Sequence, residues 1–186
     1  MSQKNSFTEI DNAISKFFEK NFMGMRSDIL HPYIGLKLKA YLDTINYIEA
    51  NMLDSAIACR TQNDLFNLAI DHLRVDGLTA EFGVKTGKSI TNLAEKNKFK
   101  NTIFYGFDSF LGLPNDWHGT RTKKGRLTTK GELPKTPKNV EIIAGWFKDS
   151  LPKFLNQHLE DFSFMHIDCD IYESTFDVLE NCKGRI

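Results

Sequence analysis

LTAEFGVKTGKS, from Leu78 to Ser89, joins an apolar run to a turn that contains two glycines. The run ends around Glu81 and Gly83, and Gly87 stands two residues before Ser89. A buried parallel strand has this pattern where it leads through a glycine turn into a helix whose first backbone amides face a ligand. The stretch therefore predicts a strand–turn–helix unit that binds a small molecule.

The chain around this stretch has the pattern of an α/β domain. Its short apolar runs are Leu78–Val84, Ile103–Phe107, Val140–Ala144 and Phe162–Ile167. Helical patterns follow the first run at Ser89–Lys96 and the last at Tyr172–Asn181. Strands that alternate with crossovers indicate a parallel sheet with right-handed connections. Residues 76–186 are thus predicted to form a Rossmann-like parallel sheet.

Residues 1–75 are predicted to form an N-terminal helical extension. Apolar residues recur at helical spacing in three runs, between Phe7 and Phe18, between Leu38 and Met52, and between Asp64 and Arg74. His31-Pro32 separates the first two runs. The apolar stripes predict packing against the core or against a second copy of the chain.

Composition narrows the class of protein. The 186 residues carry 24 basic and 24 acidic side chains, so no net charge attracts nucleic acid or an anionic membrane. Cys59, Cys169 and Cys182 are too widely spaced for a zinc site or a disulfide framework. Neither a signal sequence nor a membrane-length apolar run is recognisable. These features predict a cytoplasmic protein with neither nucleic acid nor membrane as partner.

Two common nucleotide motifs fit the glycine turn poorly. A phosphate-binding Walker A loop needs a glycine where this chain has Phe82, and a dinucleotide-binding turn needs one where it has Lys85. What remains is E-x-G-V-x-x-G-x-S. A nucleoside triphosphatase with a degenerate Walker A loop is the weaker alternative.

The remaining pattern resembles motif I of the class I S-adenosylmethionine (SAM) methyltransferases. In that family the turn wraps the amino-acid end of the cofactor. The resemblance implies that Ser89 hydrogen-bonds the cofactor carboxylate, and that Glu81 lies near its amino group or orients the turn. The cofactor-binding residues implied in the turn are Glu81, Gly83, Val84, Thr86, Gly87 and Ser89.

Asp108 ends the second predicted strand, where Rossmann-type sites place an acid for the ribose hydroxyls. Capping of a turn by this side chain is the alternative. The string GFDSFLGLP, Gly106–Pro114, resembles the macrocin O-methyltransferase family, whose members methylate sugar hydroxyls. The resemblance implies a small-molecule acceptor, a sugar or glycoside, and adds Ser109 to the cofactor site.

HIDCDIYES, from His166 to Ser174, resembles the HIDxDxYxS segment of the same family. The resemblance implies that Asp168 is the catalytic residue and a ligand of a divalent cation, usually Mg²⁺, which would lower the pKa of the acceptor hydroxyl. Asp170 is the second implied metal ligand. For Asp170, capping of the helix that begins near Tyr172 is the alternative.

VEIIAGWFKDSLP, from Val140 to Pro152, resembles the third strand of the family and the turn that follows it. By position, Gly145, Trp146 and Phe147 are predicted to flank the adenine. Burial of Trp146 as ordinary core filler is the alternative.

The segment Gly112–Lys138 is predicted to be a long loop. From Gly119 to Lys138 it holds seven basic residues and one acid, Glu132. It is either a solvated, mobile loop or a lid that favours an anionic substrate, such as a sugar phosphate or nucleotide sugar.

The resemblance ends with the sequence, at Ile186. Members of the family continue into a fifth strand, which ends in an Asp-Asp pair that completes the metal site. The expected fold is therefore an incomplete class I methyltransferase sheet with an exposed edge, and this edge or the N-terminal helices would support a homo-oligomer. The alternative to an active enzyme is an inactive SAM-binding or scaffold fragment.

Overall fold

The computed structural model describes residues 32–52, 56–73, 76–98 and 101–186. The chain divides into two compact units, Met1–Ala58 and Cys59–Ile186. The first unit contains helix α1 (Pro32–Asn51), which begins at a proline, a residue suited to the first turn. The predicted run between Phe7 and Phe18 lies outside the described residues. No described helix is both long and apolar enough to cross a membrane.

The second unit alternates helices with strands. Its elements are α2 (Gln62–Asp71), β1 (Leu78–Phe82), α3 (Lys88–Lys96), β2 (Phe104–Asp108), β3 (Val140–Ala144), α4 (Phe147–Gln157), β4 (Phe162–Ile167) and α5 (Tyr172–Cys182). The strands form one parallel sheet in the order β3-β2-β1-β4. The predicted α/β, Rossmann-like fold is therefore confirmed. Because the chain steps outward from β1 to β3 and then returns to β4, the strand order reverses between β1 and β4, where open α/β sheets bind ligands.

Helices cover both faces of this sheet. All five residues of β1 are buried, as expected of a central parallel strand. On one face, Phe82 and Phe107 pack with Leu151 and Phe154 of α4 and Val178 of α5. The members of the opposite cluster include Phe66, Ile70, Ile90, Leu93 and Phe104, which come from α2, α3 and β2. The sheet therefore lies between two layers of helices.

Helix α2 belongs to the second unit. It starts with a capping box, in which Thr61 Oγ1 accepts the Asp64 N–H and Asp64 accepts the Thr61 N–H. Its exposed side runs beside α3, where Asn92 donates to Asn63 Oδ1 at 3.0 Å and Lys96 donates to Asn67 Oδ1 at 2.8 Å. The domain boundary between residues 75 and 76 stays a prediction.

Helix α4 lies where the sequence pattern predicts only a turn. Pro152 lies inside it, at the sixth position, and proline usually ends a helix. Its buried residues Leu151, Phe154 and Leu155 pack against the sheet. Tertiary packing therefore outweighs the loss of one backbone hydrogen bond at Pro152.

Candidate cofactor site at the carboxyl end of the sheet

A cleft of about 690 Å³ opens beyond the carboxyl ends of the four strands. This volume lies within the usual range for a small-molecule site. The cleft brings together eleven of the residues predicted from the sequence: Gly83, Val84, Thr86, Ser89, Asp108, Ser109, Gly145, Trp146, Phe147, Asp168 and Asp170. Glu81 and Gly87 do not line it.

Close packing within the protein explains the glycines of the turn. Gly83 has φ +99°, and a Cβ there would lie 2.1 Å from the Asp168 carbonyl oxygen. Gly87 has φ +77° and precedes α3, and a Cβ there would lie 2.8 Å from Pro134 Cβ. The two glycines thus let the end of β4 and the long loop lie directly against the turn.

Glu81 supports the turn from beneath the cleft. Its side chain is 1% exposed; Oε1 accepts the Ser89 hydroxyl at 2.7 Å, and Oε2 lies 2.8 Å from His166 Nδ1. A buried carboxylate is costly unless it is paired in this way. The hydrogen bond to Glu81 raises the pKa of His166 against the opposing effect of burial. Of the two roles considered for Glu81, this geometry supports the orientation of the turn.

Asp108 anchors two backbone segments at the edge of the cleft. Oδ2 accepts the Lys85 N–H at 2.7 Å, and Oδ1 accepts the Phe110 N–H at 2.7 Å. The side chain therefore does cap a turn, which was the alternative considered for it. Each carboxylate oxygen has a second lone pair, so Asp108 keeps acceptor capacity for hydroxyl groups in the cleft.

Asp168 and Asp170 form an acidic wall after β4. Burial, followed by the nearby Asp168 charge, raises the pKa of Asp170, while Lys85 acts in the opposite direction. Asp170 does not cap α5, because the N-cap residue is Ile171 and no side chain caps this helix. Within the described ranges, no three His, Cys, Asp or Glu side chains are grouped to hold a metal. Two carboxylates are a partial fit to Mg²⁺, which keeps several waters.

Gly145, Trp146 and Phe147 form the wall where β3 leads into α4. Trp146 is half-buried and lines both this cleft and a second groove beside β3, so it is not enclosed core filler. Phe147 contacts Phe82 edge to face, with ring centroids 5.9 Å apart. Trp146 and Phe147 thus both line the cleft, and their contact with an adenine stays a prediction.

The long loop contributes to the lining of the cleft and is held by hydrogen bonds of its own. Leu113 N–H donates to the Arg126 carbonyl at 2.8 Å, and Gly125 N–H donates to the Leu113 carbonyl at 2.9 Å. Leu113, Lys124 and Leu127 line the cleft. The loop therefore forms part of the site.

Several lining residues were absent from the predicted site. They are Lys85, Lys88, Gly112, Leu113, Pro114, Asn115, Lys124, Leu127, Lys148, Cys169, Glu173, Ser174 and Asp177. Glu173 and Asp177 lie four residues apart on α5, so their helical spacing behind the predicted acids was a usable signal. The loop residues had no such signal, because only the folded loop brings them to the cleft.

The fold is Rossmann-like, and its candidate site is the cleft at the carboxyl ends of the strands. The sequence pattern of the macrocin-O-methyltransferase (TylF) family matches residues 63–186, so the chain belongs to that family. The solved structure described as "Structure of the O-methyltransferase NovP" is similar, with 19% identity and a TM-score of 0.52 over 67% of this chain and 60% of that chain. At this identity the likeness shows the fold. No curated protein matches this chain in sequence.

Proposed function

We propose that this protein is a SAM-dependent O-methyltransferase that methylates a hydroxyl group of a sugar or glycoside. Membership of the macrocin-O-methyltransferase family supports methyl transfer. The observation that carries the proposal is the cleft, where the glycine turn, Asp108 and the Trp146 wall meet at the strand ends. Bound SAM would supply an electrophilic methyl group on a sulfonium centre.

Three groups of residues would hold the three parts of such a cofactor. The turn at Gly83–Ser89 would hold the amino-acid end, and the remaining acceptor capacity of Asp108 would take the ribose hydroxyls. Trp146 and Phe147 would flank the adenine. Because these groups are fixed by the sheet, positioning would supply much of the rate acceleration.

Asp168 is the residue that we assign to the acceptor. It is exposed at the cleft, so its carboxylate can accept a hydrogen bond, and then the proton, from the acceptor hydroxyl. Asp168 and Asp170 would also be the ligands of a Mg²⁺ ion, which would supply electrostatic stabilisation of the acceptor oxygen. The two carboxylates alone fit this ion only in part, so the role of Asp168 as proton acceptor does not depend on it.

Self-association of the chain is a further part of the proposal. Leu36, Leu42, Ile45 and Ile48 are exposed along α1, and β4 pairs only with β1 among the described strands. Both surfaces would be covered in a homo-oligomer. Sedimentation velocity of the wild type and of a Leu42→Lys/Ile45→Lys variant tests this, and a wild-type monomer at all concentrations contradicts it.

Calorimetric titration with S-adenosylhomocysteine, with magnesium ATP as the comparison ligand, tests the cofactor assignment. We expect a dissociation constant of about 1 μM to 100 μM for S-adenosylhomocysteine and no binding of ATP. Binding of ATP alone would overturn the assignment. Binding of S-adenosylhomocysteine without turnover on any hydroxyl acceptor would favour the inactive SAM-binding fragment.

Two matched aspartate variants test whether S-adenosylhomocysteine binds at the cleft. Asp108→Asn removes the charge at the cleft, whereas Asp161→Asn changes an exposed aspartate outside the lining. We expect the first to weaken S-adenosylhomocysteine about tenfold or more, and the second to leave it unchanged. Thermal melts of both variants show whether the turn held by Asp108 remains folded. Equal affinity of the two folded variants would contradict the assigned role.

A further inference from the structure

The charged side chains that line the cleft differ in sign from one end of the strand order to the other. Four lysines line it, Lys85 and Lys88 after β1, Lys124 in the loop after β2, and Lys148 after β3. The acids after β4 and along α5 line the other side; they are Asp168, Asp170, Glu173 and Asp177. With the order β3-β2-β1-β4, positive charge covers three adjacent strand ends, and negative charge the fourth. We call the first part, lined by the four lysines, the basic half.

Asp108 is the acid that lies within the basic half. Its two oxygens already accept the N–H groups of Lys85 and Phe110. Its charge is thus partly balanced by backbone dipoles. It forms no salt bridge with a described lysine ammonium, so the positive charge of the basic half is not neutralised by direct pairing.

Three of these lysines have no partner for their charge within the described part of the chain. Lys88, Lys124 and Lys148 line the cleft, and no carboxylate there lies within ion-pair distance of their ammonium groups. Lys85 differs, because its charge acts on Asp170. Lysines that line one cleft without ion-pair partners attract an anionic ligand and raise its local concentration.

Helix stability does not explain two of these positions. Lys88 is the first residue of α3, and Lys148 the second residue of α4. A cation in the first turn of a helix opposes the helix dipole, which favours negative charge at that end. These lysines are therefore placed against the preference of their own helices, beside the cleft.

Two neighbouring lysines of the loop, Lys123 and Lys124, have different surroundings. Asp116 Oδ2 holds the Lys123 ammonium at 2.8 Å, away from the cleft lining, while Asp116 Oδ1 accepts the Lys124 N–H at 2.9 Å. Lys124 then lines the cleft without an ion-pair partner among the described residues. One aspartate thus neutralises one lysine and fixes the backbone of the other.

We propose that the acceptor methylated in this cleft carries a phosphate or diphosphate group, which Lys124 and Lys148 bind. This inference rests on the proposed methyl transfer and names the class of acceptor. Phosphate oxygens form strong charge-assisted hydrogen bonds with lysine ammonium groups. The phosphate is an anchor only: the acceptor hydroxyl gives its proton to Asp168, its oxygen bonds to the methyl carbon, and the carbon–sulfur bond breaks to leave S-adenosylhomocysteine.

This inference is tested on the full chain saturated with S-adenosylhomocysteine. Inorganic pyrophosphate, inorganic phosphate and uridine diphosphate are each titrated into it. We expect pyrophosphate to bind with a dissociation constant below about 1 mM at low salt and to weaken as salt is added. Lys124→Gln should weaken it about fivefold to tenfold, since a charge-assisted hydrogen bond is lost. Lys123→Gln is the matched control and should leave the affinity within about twofold. Tighter uridine diphosphate than pyrophosphate would indicate a nucleotide-linked acceptor, and equal affinity a simple phosphate ester.

Three outcomes overturn the inference: no binding of pyrophosphate, equal effects of the two lysine variants, or displacement of S-adenosylhomocysteine by pyrophosphate. The last would mean that the basic half serves the cofactor carboxylate. If S-adenosylhomocysteine itself fails to bind, the proposed function fails. The same titration of the ligand-free chain, with the same two variants, then still decides whether Lys124 belongs to a phosphate site.

Discussion

At Gly83, a single hydrogen atom in place of a side chain lets two strand ends meet. The Asp168 N–H donates to the Phe82 carbonyl at 2.8 Å, and the Gly83 N–H donates to the Phe107 carbonyl at 2.9 Å. These hydrogen bonds join the turn to its neighbours on both sides. The same position has φ +99°, which side chains disfavour.

Gly83→Ala is therefore expected to lower the free energy of unfolding by about 3 kcal/mol or more, through overpacking and backbone strain together. Gly125→Ala is the matched control, because Gly125 has φ +78° but no heavy atom lies within 4 Å of the place where its Cβ would stand. It should cost only about 1–2 kcal/mol. Urea denaturation measures both, and equal costs would mean that the contact with Asp168 carries no weight.

The His166–Glu81 pair predicts a pH dependence of stability. Glu81 and Asp168 both raise the pKa of His166, and the Phe66 ring lies against its imidazole at 5.4 Å. Because the folded pKa is raised, the stabilisation is fully present below the unfolded value of 6.5 and is lost as the pH rises through the folded pKa. We expect an effect of at most about 1 kcal/mol, since His166 is partly open to solvent.

This effect is measured by urea denaturation of the wild type and of His166→Gln. The pH is varied from about 5 to about 9, which brackets the ordinary histidine pKa of about 6.5. EDTA in all samples removes any contribution from metal at the neighbouring aspartates. The stability difference should be largest at the acidic end and shrink toward the alkaline end. A difference that grows with pH would contradict the pairing.

At the scale of the elements, the capping box of α2 is a local device with a measurable contribution. Thr61→Ala removes the side-chain acceptor of the Asp64 N–H and should cost about 1 kcal/mol of stability. Thr91→Ala, within α3, removes a hydroxyl from a helix interior and should change stability by less than about 0.5 kcal/mol. Chemical denaturation compares the two, and equal effects would show that the cap is not formed in solution.

Elements with periodic sequence were predictable, and those that depend on distant packing were not. Runs such as Val140–Ala144 and Phe162–Ile167 gave strands with the expected bounds, because a short, largely apolar run bounded by polar residues favours a strand. Helix α4 was missed because Pro152 lowers its local helix preference, and contacts with Phe82 and Phe107 compensate only in the folded unit. The local sequence of a helix does not show such contacts with distant strands.

For the molecule as a whole, most of the site could be predicted from sequence because its residues follow directly after strands. Parallel strands deliver their carboxyl ends to one edge, so Asp108, Asp168 and the glycine turn could be grouped before any geometry was known. Glu81 could not be assigned in this way, because its partners His166 and Ser89 come from different elements. Lys124 was likewise hidden among seven basic loop residues, of which only the fold brings this one to the cleft.

The reactivity of two of the three cysteines, Cys59 and Cys182, measures how the second unit unfolds. Cys59 is half-buried, whereas Cys182 is buried in the core and burial raises its pKa to about 11. In the folded unit at pH 8, only about one Cys182 in a thousand would be a thiolate. We therefore expect iodoacetamide to label Cys59 first and Cys182 only through unfolding of the unit, as read by mass spectrometry of the peptides.

A ligand of the folded unit should then protect Cys182 and leave Cys59 unprotected. At about 100 times its dissociation constant, a ligand stabilises the folded state by about 2.7 kcal/mol, which lowers the open population about a hundredfold. S-adenosylhomocysteine at that excess should slow Cys182 labelling by about this factor if the unit opens as a whole. Equal slowing at Cys59 would point to direct occlusion, and no slowing at Cys182 would mean that α5 opens independently of the cleft.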